Sequence, residues 1–307
     1  MNLDFFFCME GERIVIKAPP GVEIVGTFRE NTYSKEGILM FPGFTEHRSS
    51  LDDLAELLSN HFNVWNFDLN SQGESTGNWD LLQMAESVYN IHSHLKKRHG
   101  LRKLGGFGNS IGGMAVGIVA SYDDTEFDAI CLAGLPVALQ DYVRKWQLNL
   151  LRKVPQRFLR AATIAYDIFA TAVYENYRNL THHQFKTPSG YRPYAQFGAL
   201  KIPNLSELIG WIENAPDMMK FVERIHQPVL FIYGGEDHYL KIRHSILPMG
   251  LRNMITKTAS RKKDVLIVEG ADHSLNRETT IDDKFNSDPE YQFVKPHIFC
   301  HFMNYLR

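Results

Sequence analysis

The pentapeptide Gly108-Asn109-Ser110-Ile111-Gly112 constrains this chain more than any other stretch. It joins a glycine-rich strand-like run, Lys103 to Gly108, to a helix-like one, Ile111 to Ser121. A serine at that junction requires the backbone to leave a strand and enter a helix within a residue or two. Side chains two positions to either side would collide with such a turn, and glycine at 108 and 112 removes them. Gly113 then lets the helix start close to the neighbouring strand. The turn holds the Ser110 hydroxyl at the positive end of the helix, where developing negative charge is stabilised. A glycine-rich turn without chemistry has the same composition, so the motif takes its meaning from its surroundings.

Those surroundings repeat the same alternation. Gly37 to Phe41 (GILMF), Asn63 to Leu69 (NVWNFDL), Phe127 to Ala133 (FDAICLA), Val229 to Tyr233 (VLFIY) and Val265 to Val268 (VLIV) read as strands. Leu51, Leu54, Leu57 and Leu58 share one face of a helix from Leu51 to His61. Leu82, Ala85, Val88, Ile91 and Leu95 do the same in a helix from Trp79 to Lys97. Strands alternating with helices imply an α/β fold with a mostly parallel central sheet flanked by helices. The run at Gly37 has the unbroken apolar character of a strand buried on both faces. Arg13 to Lys17 and Glu23 to Phe28, separated by Pro19, Pro20 and Gly21, read as an antiparallel pair. Residues 136–227 break the rhythm, being helical in pattern and rich in aromatics. We expect a core domain of residues 1–135 and 228–307. Residues 136–227 are expected to form a helical lid insertion over the C-terminal edge of the sheet, where such folds bind ligands.

Composition narrows the classes further. The chain has 307 residues, 44% hydrophobic and 22% charged, with a formal net charge of −2. That balance suits a globular protein with room for a dry site and offers no basic excess for nucleic acid. Cys8, Cys131 and Cys300 lie too far apart for a zinc motif or a disulfide framework and read as small, buried or half-buried thiols. The cluster Phe5 to Met9 lacks a basic flank and is too short for a signal-peptide core. No run approaches the ~18 apolar residues of a membrane span, so a cytoplasmic protein is expected. His182 and His183 are adjacent, point apart and have no third ligand nearby in sequence, so no metal site is expected.

Three further segments follow other strands, and with the pentapeptide they make the chain resemble the α/β-hydrolase family over nearly its whole length. Pro42-Gly43-Phe44 is similar to the family's His-Gly-aromatic oxyanion segment, with Pro42 where histidine is common. Asp68 to Ser75 (DLNSQGES) is similar to the D-x-R-G-H-G-x-S turn, with Asn70, Ser71 and Gln72 replacing arginine, glycine and histidine. Gly234-Gly235-Glu236-Asp237 matches the G-x-x-D turn that follows a strand and carries the acid. Gly270-Ala271-Asp272-His273 matches the G-x-x-H loop that carries the base. The resemblance implies an α/β-hydrolase fold with Ser110 as nucleophile, Asp237 as acid and His273 as base, in the chain order usual for that fold. It also implies main-chain N–H groups of Phe44 and Ile111 as oxyanion donors. Glu236 reads as a solvated neighbour and Asp68 as part of a structural turn. His47 and Trp146 are candidate substrate-binding residues.

The expected partner is a small-molecule acyl substrate, apolar or aromatic, cleaved at an ester or thioester with no metal or organic cofactor. The same groups serve an acyltransferase that excludes water, or a peptidase or amidase. A non-catalytic binding protein on this fold has no need of all three. Segment 143–160 interleaves Arg144, Lys145, Arg152, Lys153, Arg157 and Arg160 with apolar residues. It reads as a solvated basic face, or as one that meets an anionic leaving group or a membrane surface. Nucleic acid is not an expected partner.

Overall fold

The computed structural model describes residues 11–18, 21–44, 46–123, 127–141, 205–273, 275 and 294–307. Eight strands form one sheet: β1 (Glu12–Ala18), β2 (Val22–Arg29), β3 (Glu36–Phe41), β4 (Asn63–Phe67), β5 (Lys103–Asn109), β6 (Ala129–Ala133), β7 (Val229–Gly234) and β8 (Lys263–Val268). Their order is β1-β2-β4-β3-β5-β6-β7-β8. The β1–β2 and β2–β4 pairs are antiparallel and every later pair is parallel. The described helices are α1 (Asp52–Ser59), α2 (Leu81–His99), α3 (Ile111–Ala120), α4 (Leu205–Asn214), α5 (Met219–Val222), α6 (Met249–Lys257) and α7 (Lys295–Leu306).

Each central strand feeds two cores, because successive side chains point to opposite faces of a sheet. In β3, Leu39 and Phe41 join the core that includes Met84, Val88, Val116 and Met254 from α2, α3 and α6. Ile38 and Met40 join the opposite core, with Leu54 and Leu58 of α1 and Ile298, Phe302 and Leu306 of α7. All six β3 residues are buried: the five of the apolar run as expected, and Glu36 beside them, which pairs with Arg102. The strand β5 is thin where both layers press closest. A methyl group at Gly105 would lie 2.8 Å from the Phe302 ring, and one at Gly106 2.9 Å from Val116. Every residue of α3 is buried, which explains a helix that is apolar all round.

Helix registers follow their caps. The Asp80 carboxylate accepts the Gln83 N–H at 2.9 Å and starts α2, and Gly100, at φ 58°, ends it. The buried face of α2 carries Leu81, Met84, Ala85, Val88, Ile91 and Leu95. Leu82, expected on that face, is instead 50% exposed. Leu81 takes the place because it lies seven residues, about two turns, before Val88 and so on the same face, whereas Leu82 is turned about 100° away. Cys300 also departs from expectation: it lies on the outer side of α7 and is exposed, whereas Cys131 is buried in β6. Both are free thiols, and burial pushes the Cys131 thiol well above its ordinary pKa. Among the described residues, no helix is long and apolar enough to cross a membrane.

One buried base makes stability depend on pH. Desolvation lowers the pKa of His301, on α7, to about 4, against the carbonyls of Ile130 and Pro228 and the charge of Asp264. The unfolded chain, with an ordinary imidazole, therefore takes up its proton first as pH falls. The His301 contribution is intact above about pH 6.5 and is lost progressively between there and about pH 4, a loss that reaches roughly 3 kcal/mol at the acid end. Urea unfolding at pH 7 and pH 4.5 should show a smaller acid loss for His301→Phe than for the wild type. Equal losses would exclude His301 as the source.

Candidate active site

The three residues singled out in the sequence come from three loops at one edge of the sheet. Ser110 follows β5 with φ 51° and ψ −112°, a strained conformation that only a constrained turn retains. Its N–H donates to the Ala133 carbonyl at 2.7 Å, which ties the turn to the end of β6. A methyl at Gly108 would come within 2.4 Å of the Gly112 backbone. One at Gly112 would come within 2.5 Å of the Phe41 and Pro42 carbonyls. The glycines are therefore required by close approach on both sides of the serine.

Asp237 lies past β7 and is fully buried. Its Oδ1 accepts the Leu240 N–H at 2.9 Å. His273 lies past β8, and the two loops are joined directly: Gly235 N–H donates to Val268 O at 2.8 Å and Glu236 N–H to Ala271 O at 2.9 Å. At Gly234 a methyl would fall 2.0 Å from the Asp272 carbonyl, so a glycine there lets the second loop cross the first. The result is one hydrogen-bonded chain of side chains. His273 Nδ1 stands 2.6 Å from Asp237 Oδ2, and His273 Nε2 stands 3.1 Å from Ser110 Oγ. Such an arrangement can pass a proton from the hydroxyl to the imidazole while the carboxylate fixes the ring. The Tyr239 ring meets the imidazole edge to face at 5.4 Å.

Phe44 lies three residues past the end of β3 with its ring held between two indoles. It stacks on Trp211 of α4 at 6.1 Å and meets Trp79 at 4.9 Å, yet stays 40% exposed. Ile111, the other expected oxyanion residue, is fully buried at the first position of α3. His47 has its polar atoms engaged elsewhere: Nδ1 is 2.9 Å from Ser49 Oγ, and Nε2 is 3.0 Å from an Arg48 nitrogen and 3.5 Å from Asp68 Oδ2. Asp68 is buried in the turn assigned to it. Glu236 accepts the His244 N–H at 2.8 Å near the surface. Trp146, segment 143–160, His182, His183 and Cys8 lie outside the described residues. Among the described residues, no group of three or more ligating side chains is placed to hold a metal ion.

Sequence reading passed over one residue. Glu46, three positions after Gly43, directs its carboxylate back under the Pro42–Phe44 segment, where it accepts the Gly43 N–H at 2.6 Å. Asn109 Nδ2, on the residue before Ser110, lies 3.3 Å from each of its oxygens. Desolvation raises the Glu46 pKa, while the Gly43 and Asn109 hydrogen bonds and nearby His273 act the other way. Residue 46 is half-buried overall; its carboxyl is the enclosed end. The only local signal was an acidic residue just behind an oxyanion-like segment.

The strand order, the turn at Ser110 and the loops bearing Asp237 and His273 together define the α/β-hydrolase fold. Solved structures carry it too. An N-formylmaleamic acid deformylase from Pseudomonas putida S16 is 16% identical, with a TM-score of 0.62 covering 94% of this chain and 100% of that one. An esterase from Pyrococcus furiosus is 13% identical, TM-score 0.62, covering 97% and 92%. A thermophilic esterase from Thermogutta terrifontis is 18% identical, TM-score 0.62, covering 96% and 100%. At these identities the likeness is one of fold. No curated protein matches the chain in sequence. The chain belongs to the serine aminopeptidase S33 family of α/β hydrolases, whose family model matches residues 33–280.

Proposed function

We propose that this protein is a serine hydrolase that cleaves an ester or thioester through an acyl-enzyme on Ser110. The observation that carries the reading is the unbroken Ser110–His273–Asp237 hydrogen-bonded chain, at 3.1 and 2.6 Å. His273 Nε2 takes the hydroxyl proton as Oγ attacks the acyl carbonyl. Asp237 holds Nδ1–H and stabilises the imidazolium. The N–H groups of Phe44 and Ile111 receive the oxyanion. His273 then returns its proton to the leaving oxygen or sulfur, and a water deprotonated by the same ring releases the acid. The part-exposed Phe44 ring, backed by Trp79 and Trp211, favours an apolar acyl group, since such surface gains from being covered.

An amide is the second substrate class, supported by the family's description as serine aminopeptidases and by the deformylase of the same fold. A panel of p-nitrophenyl esters and acyl thioesters of graded length, with matched p-nitroanilides, separates the two. Esters and thioesters are expected to turn over faster, and a fluorophosphonate should label Ser110. Faster anilide cleavage would favour the amidase reading, and added alcohol acceptors that capture the acyl group would reveal a transferase. No labelling and no turnover would leave only a binding role on this fold.

A further inference from the structure

We infer that Glu46 is a positioning residue whose carboxylate, accepting hydrogen bonds from both sides, clamps the two halves of the oxyanion site together. The inference rests on the serine hydrolase reading above. The β3–β5 ladder ends at the pair Phe41 and Gly108. The two expected oxyanion donors, Phe44 and Ile111, lie three residues beyond it on each chain, so the ladder does not set their separation. The Glu46 carboxylate takes over where the ladder stops. It accepts the N–H of Gly43, the residue before Phe44, at 2.6 Å. It accepts the side-chain amide of Asn109, the residue before Ser110, at 3.3 Å on both oxygens. The Ser50 hydroxyl adds a contact at 3.5 Å, and Glu46 N–H donates to Gly43 O at 3.3 Å.

The space is built for this group. A methyl at Gly43 would lie 3.0 Å from Glu46 Oε2 and 3.1 Å from Asn109 Nδ2, so glycine there admits the carboxylate and amide to their contact. Placing an anion near a site that binds an oxyanion is electrostatically unfavourable by itself. The arrangement works because the carboxylate faces donors on its own side, and because its charge stabilises the imidazolium that forms at His273 during attack. That interaction grows in the transition state and belongs to kcat. The role differs from those of Ser110, His273 and Asp237, since Glu46 touches no reacting atom and acts through Gly43, Asn109 and the field at His273.

Steady-state kinetics with p-nitrophenyl butyrate test the clamp. Glu46→Gln keeps an acceptor for Gly43 but turns its amide nitrogen toward that of Asn109. It should lower kcat by about 10- to 100-fold, the scale of a misplaced reacting geometry, with KM within about threefold and an unchanged fluorescence melting midpoint. Asn109→Asp alone faces two carboxylates together and should also lower kcat. The double variant Glu46→Gln with Asn109→Asp reverses the hydrogen bond and should recover most of the loss, a coupling that a merely structural role would not show. Should Glu46→Gln fail to fold, Asn109→Ala reads the same contact from the other side, with the same expected kcat loss. Active wild type with undiminished kcat in Glu46→Gln or Asn109→Ala overturns the clamp and leaves the hydrolase reading standing. A loss of kcat that the double variant does not relieve overturns it too. A wild type that neither hydrolyses esters nor takes up a fluorophosphonate overturns both.

Discussion

Ser110→Ala is expected to lower ester turnover by roughly a million-fold, the scale seen when the nucleophile of such a unit is removed, while the melting midpoint stays near that of the wild type. In the proposed mechanism the hydroxyl alone forms the acyl bond, so its removal takes the whole effect. Residue 110 is held by backbone contacts, its N–H to Ala133 O at 2.7 Å and its carbonyl to Met114 N–H at 3.0 Å, and alanine keeps both. His273→Ala should fall to a similar rate, and the double variant should be no worse, since groups that act as one unit are not additive. Asp237→Asn should cost less, about 10,000-fold. Asparagine can still accept the Leu240 N–H, but its amide nitrogen then faces His273 Nδ1 and favours the tautomer that cannot take the serine proton. Progress curves on one p-nitrophenyl ester measure all four. A Ser110→Ala rate within tenfold of wild type would remove the nucleophile assignment.

The site was legible where chemistry follows a strand end. Ser110, Asp237 and His273 each stand just past an apolar run, and one-dimensional order is enough to bring such positions to a common sheet edge. What escaped were contacts whose partners lie far apart in sequence. Glu46 is one acidic residue in a loop until Asn109, 63 positions on, comes beneath it. Helix α7 escaped for a different reason: Lys295–Leu306 places apolar residues and histidines around most of its circumference, so no clean polar face marks it. Strand β8 begins at Lys263; the sequence indicates Val265, two residues later, because Lys263 and Asp264 do not look like a buried strand. It is the sheet's edge, where Asp264 and Val265 are exposed and alternation is no longer enforced by burial. In α2 Ala85, Val88, Ile91 and Leu95 are buried as their spacing implies, and only Leu82, at the margin of that face, turns outward in favour of Leu81.

The same long-range logic makes Asp68→Ala a damaging change to the fold outside the site. Asp68 is fully buried and faces Arg48, itself only 8% exposed. Its Oδ1 accepts the Arg48 backbone N–H at 2.7 Å, and its Oδ2 accepts the Arg48 guanidinium and the Glu74 N–H, the latter at 3.0 Å. Arg48 also pairs with Glu74 and donates to Thr27 Oγ1 at 3.1 Å. Two of these groups are backbone, so the carboxylate fixes the path of the chain just after the Pro42–Phe44 segment as well as neutralising a cation. Removing it leaves the buried guanidinium with only the half-exposed Glu74 as counter-charge and two backbone donors unmet, a loss of about 3 kcal/mol, which should lower the melting midpoint by roughly 10 °C in a protein of this size. Replacing the pair together, Asp68→Leu with Arg48→Met, removes the stranded charge and should be less destabilised than Asp68→Ala, since a buried pair often exchanges for apolar residues at small net cost. The backbone donors of residues 48 and 74 would still go unmet, so the double variant should remain below wild type. Urea unfolding of the two variants beside wild type measures this ordering; a double variant less stable than Asp68→Ala would show that the carboxylate acts through the backbone alone.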